Sequence, residues 1–196
     1  AQKYPMDPGK RRIIALALGL LLMLAVVGAQ TFFIGPKPEP IDVATEEQQA
    51  LLSEVFPEAS IFSVKGGRLP HHKAYRADEN TGENILLGFA FMTHEVEPEE
   101  WAYESELEIL VGLTLGGAIT GIKVVDHYEP FGYFSIDTPD FSEQFKGKSI
   151  LDAFEEGRDV DAVSRATISI ESAARVIRKS ARQIARQHLK QERPKP

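Results

Sequence analysis

Residues 13–34, IIALALGLLLMLAVVGAQTFFI, run without a single charged side chain. At about 1.5 Å of rise per residue, a helix of that length reaches about 33 Å, enough to cross the hydrocarbon core of a bilayer. The sequence therefore predicts one transmembrane helix over 13–34. A cleaved signal peptide is the alternative, but the run is longer than a typical apolar signal region and no convincing small-x-small cleavage site precedes Pro36. Lys10, Arg11 and Arg12 lie before the run, and Glu39, Asp42, Glu46 and Glu47 lie after it. The positive-inside rule then puts residues 1–12 in the cytoplasm and everything past the span on the far side.

The chain beyond the span must fold by itself. The stretch 35–44 carries three prolines among polar residues and reads as a semi-rigid linker. From residue 45 onward the chain is one domain in length, and a 43% apolar, 9% aromatic composition is that of a packed core. The absence of cysteine excludes disulfides, thiolate metal sites, iron–sulfur clusters and c-type haem attachment. Net charge is −7 for the chain and −10 for residues 37–196, which argues against a nucleic-acid partner.

Periodicity predicts an α+β domain over 45–190, with a short tail at 191–196. TEEQQALLSEVFPEAS opens on an N-cap Thr45, carries acidic residues in its first turn and stops at Pro57, the marks of a short amphipathic helix. ASIFSVKGG and ENILLGFAFMTHEV read as strands, and the polar RLPHHKAYRADENTGEN between them as a turn-rich loop. ELEILVGLTLGGAITGIKVVDHYE places two apolar runs on either side of Gly116 and Gly117, an antiparallel hairpin signature. A short helical piece is predicted around Phe141 to Phe145. From Ser169 to about Leu189, apolar residues recur at helical spacing and predict a long amphipathic helix.

The segment DAVSRATIS, Asp161–Ser169, precedes that helix. Small hydroxyl-bearing residues at a helix start suit an anion, because the first backbone N–H groups lack partners and the macrodipole adds partial positive charge. The competing reading is that Ser164, Thr167 and Ser169 merely cap the helix.

The pattern Asp161, Ser164, Ala166, Thr167 resembles the flavinylation motif of the FMN-binding domain family found in flavin subunits of Rnf and sodium-pumping NADH:quinone oxidoreductase complexes. In that family the closing threonine is esterified to the FMN phosphate, which implies Thr167 as the covalent attachment point. Arg165 stands where the family usually has glycine. With YEPFGYFSID and EQFKGKSI, that departure is similar to the periplasmic domain of nitrous-oxide-reduction regulator flavoproteins. His127–Gly132, HYEPFG, resembles the family's loop against the flavin.

The resemblance implies cofactor contacts from Glu129, Phe131 and Gly132, and from Ser164, Arg165, Ala166, Ile168 and Ser169 around Thr167. It implies a bacterial inner-membrane protein with a periplasmic FMN domain that transfers electrons. Its partners would be the other membrane subunits of a redox complex and an electron donor and acceptor, proteins or quinone. Two other functions are compatible with these residues: a non-redox assembly or regulatory subunit without flavin, and a maturation factor for an exported metalloenzyme.

Other residues carry weaker signals. His71 and His72 lack the number and spacing of metal ligands and read as surface histidines. His127 and His94, near Glu129 and Glu95, can form proton-handling pairs, although ordinary exposed hydrogen bonding is commoner. Trp101 and Tyr103 read as core or loop packing residues that can also stack on a flavin. The basic residues Arg175, Arg178, Lys179, Arg182, Arg186, Lys190, Arg193 and Lys195 read as a solvated helix face, with anionic lipid or an acidic partner as the alternative.

Overall fold

The computed structural model describes residues 40–79, 81–98, 101–102 and 106–189. All but Pro40 belong to one compact unit, Ile41–Pro196. The expected span 13–34, Tyr103, Lys190, Arg193 and Lys195 lie outside the described residues. Among the described residues no helix is long and apolar enough to cross a membrane.

The domain is α+β, built on a five-stranded antiparallel sheet in sequential order β1-β2-β3-β4-β5. The strands are β1 (Ile61–Phe62), β2 (His72–Ala77), β3 (Asn84–Met92), β4 (Glu108–Thr114) and β5 (Ile119–Asp126). The helices are α1 (Glu46–Val55), the single turn α2 (Thr93–Val96), α3 (Pro139–Glu143) and α4 (Thr167–His188).

Alternation along β4 shows how the sheet divides the core. Ile109, Val111 and Leu113 face one apolar cluster, while Leu110 joins a second. The first cluster is covered by α4 through Ile170, Ile177 and Ile184, all fully buried at a seven-residue spacing. The second holds Leu52, Val55 and Phe56 of α1 and the residue just past its end, with Phe62 and Ala90. The sheet is thus sandwiched between helices, and burying each of those isoleucines contributes about 1.5–3 kcal/mol.

Local chemistry fixes the ends of α1. Thr45 and Gln48 form a reciprocal capping box, with Gln48 N–H donating to Thr45 Oγ1 at 3.4 Å and Thr45 N–H donating to Gln48 Oε1 at 3.1 Å. Gln49 then ties the helix to β1, accepting from Phe62 N–H at 2.9 Å and donating to its carbonyl at 3.0 Å.

The expected hairpin is β4–β5, closed by residues 115–117, with Gly117 at φ +79° supplying the left-handed position that such a turn needs. Thr114 N–H donates to Ala118 C=O at 2.9 Å to close it.

Three expectations need correction. The polar segment read as a loop contains β2, whose inward positions are filled by His72 and Ala74 rather than by large apolar residues. His71 and His72 are buried: each Nδ1–H donates to a backbone carbonyl, of Leu69 at 2.7 Å and of Ser63 at 2.8 Å. Trp101 is 59% exposed and does not pack in the core.

The basic face of α4 is also not simply solvated. Arg178 Nη1–H donates to Ala153 C=O at 2.7 Å, and Arg182 donates to Ile150 C=O at 2.7 Å and Asp152 C=O at 2.9 Å. Two arginines one turn apart therefore hold the segment 150–153 against the helix.

Candidate functional site

Two segments meet at the start of α4. One is the loop from His127 to the short 3-10 turn Gly132–Phe134; the other is the run from Asp161 into the helix. Between them lies a cleft of about 470 Å³. Pro130 and Phe131 form one wall, and Arg165 to Ser169 form the other.

The first segment is organised by His127. Glu129 N–H donates to His127 Nδ1 at 2.9 Å, so that nitrogen carries no proton, and Nε2–H donates to both Asp137 carboxylate oxygens at 2.9 and 3.0 Å. His127 therefore pairs with Asp137. Its ring lies close against Gly132, where an added Cβ would sit 2.1 Å from Cε1; only glycine admits this approach. The loop holds Phe131 at the cleft, 44% exposed, with Tyr128 and Tyr133 more exposed still.

The second segment is anchored at its beginning by Asp161 N–H donating to Gln144 Oε1 at 2.7 Å. A turn comes next, closed by Ala166 N–H to Val163 C=O at 3.0 Å, and Arg165 takes its third position at φ +71°. Ala166 is the N-cap and no side chain caps the helix, so the reading of Ser164, Thr167 and Ser169 as caps does not hold. The helix begins at Thr167, two residues earlier than periodicity indicates.

A buried hydrogen bond joins the two walls. Ser169 Oγ–H donates to a Glu129 carboxylate oxygen at 2.5 Å, and both side chains are more than nine-tenths buried.

Thr167 and Ile168 are exposed and line the cleft with Arg165, the one charged side chain among its described lining residues. Phe131, Ala166 and Ser169 line it as well. Glu129 and Gly132 stand behind the wall, as the partner of Ser169 and the seat of His127. Ser164 is exposed and is not part of the lining. Pro130, which sequence reasoning does not single out, does line it; its only sequence signal is its place inside HYEPFG.

The site is thus a cleft in an α+β domain that ends at an uncapped helix N-terminus beside an arginine. Residues 102–182 match the family described as the FMN-binding domain.

The chain is 28% identical over 126 residues to the G subunit of the ion-translocating oxidoreductase complex of Pasteurella multocida (strain Pm70), spanning 60% of each chain. It is 29% identical over 134 residues to the protein of the same name from Methanosarcina acetivorans, across 63% of this chain and 68% of that one.

Proposed function

We propose that the chain is a membrane-anchored flavoprotein that carries FMN esterified to Thr167 and passes electrons as a subunit of a membrane redox complex. The observation that supports this reading most is the placement of Thr167. It stands on the cleft wall at the first residue of a 22-residue helix, with Arg165 on the same wall.

The residues fit the group. A cleft of about 470 Å³ lies in the range of cofactor pockets, and Pro130, Phe131 and Ile168 give it the apolar faces that a planar ring system needs. A phosphodiester retains negative charge, which the first-turn N–H groups of α4 and the Arg165 guanidinium would stabilise.

Making the ester requires an activated donor, since joining a hydroxyl to a phosphate releases water. A flavin dinucleotide is that class. Thr167 Oγ1 would take the phosphorus on the flavin side, with the pyrophosphate P–O bond broken and the nucleoside monophosphate and the hydroxyl proton released. Flavin supplies exchange of one or two electrons when bound. Around it, Phe131 and Ile168 would exclude water, while the Glu129–Ser169 bond fixes the spacing of the walls.

The chain has no cysteine for an iron–sulfur relay, so donor and acceptor would belong to partner subunits, other proteins or quinone. Membrane attachment rests on residues 13–34.

The reading is tested by denaturing and precipitating the detergent-purified full chain made with a flavin-transferring enzyme. Flavin should remain in the pellet for the parent and vanish from it for Thr167→Ala. A colourless parent pellet from a folded chain would instead favour an assembly subunit without flavin.

A further inference from the structure

Arg165 combines properties that a solvated surface arginine does not need. Its φ of +71° lies in the left-handed region, at the third position of the turn that Ala166 N–H closes onto Val163 C=O, where glycine is the residue of least strain. It lines an otherwise uncharged cleft wall. No group among the described residues pairs with its guanidinium, although the domain around it is strongly acidic.

A backbone conformation that disfavours a side chain thus occurs at the one position among the described lining residues that brings a cation to the cleft. Thr167, two residues on, opens the helix without a side-chain cap. Arg165 and the first turn of α4 therefore line the same cleft as Thr167. A helix start alone binds an anion weakly once solvent screens it. An arginine adds a forked, charge-assisted pair of donors that matches the oxygens of a phosphate.

The geometry points to Arg165 as the residue that makes this cleft select a phosphorylated flavin over its unphosphorylated counterpart, at the expense of backbone stability. This inference rests on the flavin reading above. It assigns selectivity and strain to the same side chain, so the two must change together.

The test uses the full-length chain bearing Thr167→Ala, so that binding stays reversible, titrated in detergent with FMN and with riboflavin. Arg165→Gly and Arg165→Lys are compared on that background, with thermal unfolding measured for each. The parent should bind FMN about tenfold or more tighter than riboflavin, the worth of one charge-assisted contact. Arg165→Gly should lose most of that preference, leave riboflavin affinity unchanged, and hold Tm or raise it by up to about 4 °C. Arg165→Lys should keep part of the preference and none of the gain in Tm.

Equal loss of both flavins in Arg165→Gly, an unchanged FMN preference, or a fall in Tm would each overturn the inference while leaving flavin binding intact. A Thr167→Ala chain that binds neither flavin would overturn this inference alone, since the flavin reading is decided by the denatured pellet of the unsubstituted chain.

Discussion

Ser169 and Glu129 are 40 positions apart in sequence, yet one hydrogen bond between them sets the distance between the two walls of the cleft. Because the bond is buried, Ser169→Ala should cost about 1–3 kcal/mol. Urea unfolding measures that cost, and flavin retention should fall with it. Gly132→Ala acts on the other wall. Its methyl group would expel the His127 ring, which then gives up both the Asp137 carboxylate and the Glu129 N–H. The expected cost is about 1–3 kcal/mol, with a shift of the His127 ring resonances that a remote change would not cause.

At this scale the sequence displayed the residue types of the site but not their roles. Thr167 and Arg165 sit in a motif that can be read directly. The left-handed turn at Arg165 and the service of Glu129 and Gly132 behind the wall are products of tertiary placement, for which local pattern holds no signal.

Among the elements, α4 does most to organise the domain, and its two ends differ. Its arginine face clamps the segment 150–153 through three carbonyls. Arg182→Ala, which removes two of those contacts, should destabilise by about 1–3 kcal/mol and expose that segment to limited proteolysis. The far end packs His188 against Phe89 and His71, with ring centroids 4.4 Å apart in both pairs.

Burial there, together with the positive charge of His71 and Lys73, holds the His188 pKa below its ordinary 6.5. Burial does the same for His72, opposed by its bond to the Ser63 carbonyl and influenced further by Lys65, Glu95 and His71. Both histidines bind fewer protons folded than unfolded below that value. Their stabilisation is therefore fully present above pH about 6.5 and is lost as pH falls through the lower folded values. Asp159 extends the trend. Burial raises its pKa, but N–H bonds from Glu155 and Phe154 and the charge of Lys148 outweigh this and lower it below 3.8, so its contribution is lost only in stronger acid.

Urea midpoints measured from pH 8 down to pH 5 should fall, and His188→Phe should flatten part of that slope. The long helix and the hairpin were legible because their periodicity is strong. β2 was not, since HKAYRA turns a histidine and an alanine inward and so mimics a polar loop.

The whole described unit is a sheet with helices on both faces, and the cleft opens where the longest helix begins. Sequence periodicity conveys the helices and the hairpin, and the arrangement of layers results from which face of each strand is apolar. The cleft itself is assembled from the loop after β5 and the turn before α4, segments without periodicity, so its walls emerge only once the chain is folded.

A covalent flavin at Thr167 is the property on which the proposed function depends. Trypsin should cut after Arg165 and Arg175, releasing the peptide ATISIESAAR, residues 166–175, whose mass reports directly on that hydroxyl. From the full chain produced with a flavin-transferring enzyme, this peptide should be heavier by one FMN less one water, with fragmentation placing the gain on Thr167. An unmodified peptide, or the gain found on Ser169 or Ser172, would contradict a flavin held at Thr167.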